Sequence, residues 1–357
     1  MHVPDGFINA PVSAVAGVAA VGAVAVALRG ARRELDERTA PLAGLVAAFI
    51  FAVQMLNFPV AAGTSGHLLG GALAAILVGP YTGVLCVSVV LLMQGVLFAD
   101  GGLTALGVNI TVMAVVTTVV AYAVFRGLAT VLPRGRRSLT AAAFTAALLS
   151  VPAAAAAFTV LYAVGGTTDV PIGKVATAMI GVHVLIGIGE AAITALTVGA
   201  VVAVRPDLVH GARGLTAPLK LRVGDALIDA PAAHEPAPAA ARSSHRKLWA
   251  AGLVTSLVLA GFVSFYASTN PDGLEKVAHD KGIDRKEEEH AAKDSPFFDY
   301  GVEGITNTRL SGGLAGVIGV GVTVAAGTGV FWAVRRRRAQ DPDPAQAAAV
   351  TEPAESS

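Results

Sequence analysis

An almost wholly apolar run of 29 residues occupies positions 176–204 and reads ATAMIGVHVLIGIGEAAITALTVGAVVAV. Its ionisable residues are His183 and Glu190. An α-helix rises about 1.5 Å per residue, so roughly 20 apolar residues cross the hydrocarbon core of a bilayer. The run is long enough to do so, and it predicts a transmembrane helix rather than the core of a soluble domain.

Further apolar spans lie on both sides of this run. They fall at about 8–28, 41–58, 68–79, 81–99, 103–125, 139–164, 248–268 and 310–334. The 357 residues are 54% hydrophobic and 14% charged, whereas about a quarter of the residues of a soluble domain are charged. We therefore predict an all-α polytopic membrane protein, with a seven-helix bundle followed by a two-helix transmembrane hairpin. Because span 68–79 is short, it is expected to pack as one bent unit with its neighbour through Gly79 and Pro80.

Changes in composition divide the chain into four segments. A polar stretch rich in Pro and Ala separates the two groups of spans, and a polar, low-complexity tail follows the last span. Such tails bury too little apolar surface to fold. The predicted segments are a membrane domain at 1–205, a cytoplasmic linker at 206–245, a two-helix membrane domain at 246–338 and a disordered cytoplasmic tail at 339–357.

Basic residues alternate from one connection to the next. With the amino terminus outside, connections 29–38 and 126–138 each place four arginines in the cytoplasm, whereas the outside loops of the first seven spans carry only Lys174. The positive-inside rule then places the carboxyl terminus in the cytoplasm of a multi-pass cell-membrane protein. The basic run 335–338 fits a membrane anchor, not a nucleic-acid site. No Lys or Arg precedes the first span, so we expect an uncleaved helix rather than a signal peptide.

Two chemistries are excluded by the residues available. The single cysteine, Cys86, allows no disulfide within the chain and no thiolate metal site. No phosphate-binding GxxxxGK[ST] pattern occurs, so active transport of a solute would need either ATP hydrolysis on a partner chain or an ion gradient.

A histidine at position 2 makes the start of the chain, MHVPDGF, a potential chelator. The α-amine of Met1, the backbone nitrogen of His2 and one imidazole nitrogen of His2 can bind one metal through two fused rings. A fourth nitrogen completes a square plane, which suits Ni(II) or Cu(II). His67 is the natural fourth ligand, in a loop predicted to be flexible and on the same side of the membrane. The alternative is that His2 lies in water and His67 caps a helix.

His183 and Glu190 lie seven residues apart, on one face of their predicted helix. Ionisable residues inside a membrane are costly and often functional. They fit either a buried polar contact that fixes helix packing or the site of a membrane enzyme. If Met1, His2 and His67 are the ligands, Glu190→Ala is expected to retain metal binding.

Small and polar residues in the spans predict helix packing. Ala315, Gly319, Thr323 and Gly327 recur every four residues and form a small-residue seam, for contact within the chain or with a partner. Four amides lie in or near the spans and are expected to join helices first and to support a metal site second: Gln54, Asn57, Gln94 and Asn109.

Three segments carry a family resemblance. MHVPDGF at 1–7, NFPVAAGTSGHLLGGALAAILVGP at 57–80 and QGVLFADGGLTALGVN at 94–109 resemble the cobalt/nickel substrate-binding component of energy-coupling factor transporters, the CbiM/NikM type. The resemblance covers about 1–205. It implies that the amino terminus of Met1, the backbone and side chain of His2 and the side chain of His67 bind the metal.

The hairpin at about 246–338 carries NPDGLE at 270–275 and SPFFDY at 295–300. It resembles the NikN-type accessory subunit with a PDGLE motif, here fused to the first domain. Together the two resemblances imply that nickel or cobalt is captured outside as a transported substrate, with no resident cofactor. They also imply separate partners: a transmembrane coupling protein and two ABC ATPases. The alternatives are a membrane enzyme using His183 and Glu190, or a scaffold subunit that binds no metal.

Overall fold

The computed structural model describes residues 1–35, 39–61, 63–213, 220–223, 226–229 and 245–340. Most of the predicted linker, the tail from 341 onward and Arg38 of the first basic connection lie outside the described residues. The predicted disorder of the tail therefore stays a prediction.

Helices account for most of the described chain. They are α1 (Ala10–Glu34), α2 (Thr39–Gln54), α3 (Gly71–Val78), α4 (Pro80–Phe98), α5 (Leu106–Val131), α6 (Arg136–Gly165), α7 (Ile172–Val204), α8 (His245–Gly261), α9 (Gly273–Lys281) and α10 (Thr308–Gln340). The strands form two antiparallel pairs, β1 (Phe58–Pro59) with β2 (Ser65–Gly66) and β3 (Lys220–Val223) with β4 (Ala226–Asp229). The predicted all-α membrane fold is confirmed.

Seven of the described helices are long and apolar enough to cross a membrane: α1, α4 to α7, α8 with its 3₁₀ extension to Tyr266, and α10. Helix α2 is apolar but has 16 residues. Helix α3 has eight residues, which span about 12 Å. Segment 68–79, which the sequence predicted as a short span, therefore does not cross a membrane by itself.

Helices α3 and α4 form the predicted bent unit. Gly79 joins them with φ +100°, and Pro80 is the first residue of α4. A left-handed backbone favours glycine, and proline suits a first helical position because it has no N–H to satisfy. The carboxylate of Glu34 completes the turn by accepting hydrogen bonds from the N–H groups of Tyr81 (3.2 Å) and Thr82 (2.7 Å).

The connections gather at two ends of the bundle. We call the upper end the one that holds residues 1–9, 55–61, 63–70, 99–105, 166–171 and 267–307. Hydrogen bonds such as Thr167 N to Phe7 O and Ser268 N to Asn57 O join these segments. The lower end holds the end of α1, the α3–α4 turn and residues 205–213. Arginines of the first and second basic connections belong to this lower end.

The second group of helices packs directly on the first. Gly319 of α10 lies so close to Phe51 of α2 that a Cβ added at Gly319 would be 2.1 Å from the ring. About two turns further along α10, a Cβ added at Gly327 would lie 3.2 Å from the Cα of Gly44 of α2. Ala315 and Thr323 of the same seam are fully buried. The small-residue seam therefore serves contact within the chain.

Candidate metal centre

Hydrogen bonds to the backbone of Val3 fix the first residues of the chain. The amide of Asn109 forms a two-point contact with Val3, accepting from Val3 N at 2.8 Å and donating to Val3 O at 3.1 Å. Gly102 N also donates to Val3 O, at 2.9 Å. Met1, His2 and Val3 are all buried, so the amino terminus is held inside the upper end. The alternative that His2 lies in water is wrong.

A tight turn follows this anchored segment. Asp5 accepts hydrogen bonds from the backbone of Leu103 (3.3 Å) and Thr104 (2.8 Å). Gly6 has φ +86°, and the carbonyl of Lys286 occupies the space that a Cβ would need. Phe7 is fully buried behind the turn.

His67 is buried and ordered, which corrects the prediction of a flexible loop. Pairing of β1 with β2 restrains the residues before it, and Ser65 N donates to Pro271 O at 2.9 Å. Nδ1 of His67 lies 3.1 Å from the carbonyl of Leu68. When Nδ1–H donates there, Nε2 keeps a free lone pair, as a metal-binding imidazole requires.

The three predicted ligands lie together. The nitrogen of Met1 is 2.6 Å from Nε2 of His67, and the rings of His2 and His67 stack with centroids 5.0 Å apart. Two nitrogens bound at right angles to one metal at about 2.0 Å lie about 2.8 Å apart, so this spacing is close to what a shared metal needs. Nε2 of His2 is buried without a hydrogen-bond partner.

Two carboxylates contact the nitrogens of the predicted ligands. Oδ2 of Asp272 lies 2.5 Å from the nitrogen of Met1 and 3.5 Å from Nε2 of His67. Oδ1 of Asp100 lies 2.9 Å from Nδ1 of His2, while Tyr300 donates to Oδ2 of Asp100 at 2.5 Å. Asp272 and Tyr300 belong to the second group of helices, so both parts of the chain meet here.

Sequence reasoning did not identify Asp100 or Tyr300 as neighbours of the site, and for the PDGLE loop, which contains Asp272, it left open whether the carboxylates serve the metal or lie in water. One local signal was available for Asp272, because an Asp followed three residues later by Glu is a helix start pattern. In the structure Asp272 caps α9 by accepting from Leu274 N (2.7 Å) and Glu275 N (2.9 Å), and Glu275 returns the contact to Asp272 N (2.8 Å).

Burial and neighbouring charges set the protonation of these groups. Burial lowers the pKa of His67, and the ammonium of Met1 lowers it further. Burial alone would raise the pKa of the Asp272 carboxyl, but the same ammonium and the contact with His67 hold it well below its usual range. Burial opposes ionisation of Asp100 as well, yet its contacts with His2 and Tyr300 lower its pKa to about 2. The site thus combines a neutral His67 with two ionised carboxylates.

An open cavity of about 980 Å³ leads to these residues. It lies between the two parts of the chain, and its wall includes His2 and His67 as well as Asp100, Asp272 and Tyr300. A small ion can therefore reach both imidazoles from the upper end.

The intramembrane pair does not form a joint site. Glu190 accepts hydrogen bonds from Leu69 N (2.7 Å) and Gly70 N (3.1 Å), so its carboxylate fixes the turn after His67. His183 is hydrogen-bonded through Nδ1 to the carbonyl of Met179 at 2.7 Å, and its Nε2 is buried without a partner. The contacts of the two side chains, both in the described part of the chain, favour a role in packing and positioning.

Two predicted amides support the candidate site. Asn109 holds Val3, and Nε2 of Gln54 donates to the carbonyl of Leu69 at 2.9 Å. Gln94 is fully buried and Asn57 partly buried. Among the described residues, no group of three or more His, Cys, Asp or Glu side chains is arranged to hold a metal ion, either at this site or elsewhere.

Comparison with known proteins gives a match over residues 2–208 to the family described as the cobalt uptake substrate-specific transmembrane region, CbiM. The chain belongs to this family. Residues 246–336 match the PDGLE domain, so the chain joins a CbiM region to a PDGLE domain. It is a multi-pass membrane protein of a transport family, not an enzyme.

Relatives and a solved structure agree with this membership. A provisionally named metal transport protein of Haloquadratum walsbyi is 40% identical over 209 residues, which are 58% of this chain and 93% of that protein. The fused nickel transport protein NikMN of Rhodobacter capsulatus is 44% identical over 125 residues, 35% of this chain and 36% of that one. The crystal structure of a truncated transition metal transporter superposes with TM-score 0.50 and 28% identity, covering 57% of this chain and 99% of that chain.

Proposed function

We propose that this chain captures Ni(II) or Co(II) as the substrate-binding component of an energy-coupling factor transporter. The ligands are the amine of Met1, the backbone nitrogen and Nδ1 of His2, and Nε2 of His67. The observation that carries the proposal is the 2.6 Å approach of the Met1 nitrogen to Nε2 of His67, beside the stacked ring of His2. Four nitrogens in one plane suit Ni(II).

Binding of a metal ion to these four nitrogens requires the replacement of one existing contact, between His2 and Asp100. Nδ1 closes the second fused ring, because it is the imidazole nitrogen nearer the backbone, and it lies against Asp100 at 2.9 Å. The incoming metal takes the place of this contact and displaces protons from the amine and the backbone nitrogen. Metal affinity therefore rises with pH.

The test compares the full chain carrying Met1 as its first residue with a copy that has one extra residue before Met1. The extra residue moves the amine out of the chelate and leaves the helices unchanged. Nickel or cobalt should bind the first protein and not the second in titration calorimetry. His2→Ala and His67→Ala should also lose binding. Equal binding by the native and extended chains would reject these ligands.

Transport direction and energy supply form the second part of the proposal. The upper end, with the metal site, faces the outside, because the arginines of the short connections lie at the lower end. A transmembrane coupling protein and two ABC ATPases on separate chains then drive uptake into the cytoplasm. The chain purified in mild detergent from its own membranes should carry these partners and ATPase activity. Metal uptake that continues when ATP is depleted would reject this coupling.

A further inference from the structure

Asp272 of the PDGLE domain lies at the candidate metal site although 271 positions separate it from Met1. Its two oxygens have different neighbours. Oδ1 accepts the hydrogen bonds that cap α9, whereas Oδ2 points to the nitrogen of Met1 and to Nε2 of His67. One oxygen therefore serves the fold, and the other is directed at two of the proposed metal donors.

The distances fit a shared metal ion. Donor atoms about 2.0–2.2 Å from one metal lie about 3 Å apart when they are at right angles. The distances from Oδ2 to the two nitrogens, 2.5 and 3.5 Å, fall on either side of that value. Oδ2 needs a shift of about 0.5 Å to complete such a set, which is small for a side chain.

Charge gives an independent reason for a carboxylate here. A divalent metal bound to a neutral amine, two neutral imidazoles and one deprotonated backbone nitrogen keeps a net positive charge. Burying that charge is unfavourable unless an opposite charge lies beside it. Asp272 is buried and is already paired with the positive amino terminus.

We propose that Asp272 is a fifth ligand of the transported metal, adding one carboxylate oxygen outside the plane of the four nitrogens. In the metal-free protein the same oxygen holds the amino terminus beside His67. The PDGLE domain then completes the binding site of the CbiM region. This inference rests on the proposed function and adds a ligand from the second domain.

The surrounding motif positions this carboxylate. The carbonyl of Pro271 accepts from Ser65 N, two residues before His67. Gly273 packs so closely on α7 that an added Cβ would lie 2.7 Å from Ile186. Leu274 is fully buried, and Glu275 closes the cap of α9. Each residue of the motif thus places Asp272 against the amino terminus.

The test is nickel binding to full-length Asp272→Asn, Asp272→Ser and Glu303→Gln proteins. Asn and Ser are good helix caps, so α9 should persist, but neither supplies a carboxylate. Glu303 is exposed on the same loop and lies outside the motif, so Glu303→Gln removes one negative charge without touching the ligand or its cap. We expect both Asp272 variants to bind nickel at least about tenfold more weakly, and Glu303→Gln to bind as the wild type does.

The absorption spectrum of bound nickel separates a ligand from a merely structural residue. Loss of an axial oxygen should shift the d–d band of Asp272→Asn to shorter wavelength than in the wild type. Wild-type affinity, or weaker binding with an unchanged spectrum, would overturn the assignment of Asp272 as a ligand. Absence of nickel from the wild-type chain would instead reject the proposed function, so the two failures are distinguishable.

Discussion

At the scale of single residues, Asn109 shows how a side chain can position proposed metal donors that it does not touch. Its amide pairs with both polar groups of the Val3 backbone, one residue beyond the proposed His2 ligand. Val3 is fully buried, so water cannot replace these contacts. The proposed amino-terminal chelate therefore depends on a residue more than 100 positions away.

Replacing Asn109 by Leu should weaken metal binding by about tenfold or more. Leu has a similar shape but no polar atoms, and an unpaired buried N–H costs about 1–3 kcal/mol. Titration calorimetry with nickel measures the effect. The matched control is Asn270→Leu, at an exposed position of the same upper end. If Asn109→Leu and Asn270→Leu bind nickel equally well, the amino-terminal segment does not need this contact.

At the scale of secondary-structure elements, α7 and the start of α3 form one positioning unit. Glu190 satisfies two backbone N–H groups of the turn at Leu69 and Gly70. Gly70 has φ +88° and the side chain of Ile50 lies against it, which leaves the turn little freedom. The orientation of His67 therefore depends on a carboxylate two turns below His183 on α7.

Glu190→Ala should weaken metal binding although Glu190 is not a proposed ligand. The substitution leaves two buried N–H groups unpaired, at about 1–3 kcal/mol each. Glu190→Gln should have a smaller effect, because its amide oxygen still accepts one hydrogen bond. Nickel affinity and thermal unfolding of both variants in detergent give the measurement. If Glu190→Ala binds nickel as tightly as the wild type, His67 does not need the Glu190 contact. That outcome would support the sequence-based expectation that this variant retains metal binding.

At the scale of the whole molecule, contacts within the membrane and at the upper end hold the described parts of the two domains together. The seam of small residues on α10 packs on α2 within the membrane. The loop between α8 and α10 covers the upper end, where Asp272 contacts Met1 and Tyr300 contacts Asp100. Close packing of the seam therefore also helps to set the position of Asp272 beside the candidate metal site.

Gly319→Ala should lower both the stability of the protein and its metal affinity. The new methyl group would overlap Phe51, and overpacking of this kind costs about 1–3 kcal/mol. The control is Gly321→Ala on the same helix, where nothing lies within 4 Å of the new methyl group. Thermal unfolding and nickel titration should show a deficit in the first variant alone. Equal stability of the two variants would show that the seam is not tightly packed.

The sequence by itself determined the membrane class, the two-part organisation and the three residues proposed to bind metal. Hydrophobic spans and the positions of arginines are patterns along the chain, and the partition of each segment between lipid and water follows from its own composition. The chelating capacity of Met1 and His2 is equally local, because the donors belong to adjacent residues.

Only the tertiary structure decided that α3 is a half-length helix, that His67 is buried and that Asp272 reaches the amino terminus. The length of α3 follows from the turn that Glu190 and Gln54 hold. The position of His67 follows from the residues just before it, because Ser65 and Gly66 pair with β1 and Ser65 N donates to the carbonyl of Pro271. No pattern along the chain joins Met1 to a carboxylate 271 positions away. This contact arises because α10 packs on α2 and the PDGLE loop packs on α7. Both are contacts between helices that lie far apart in sequence.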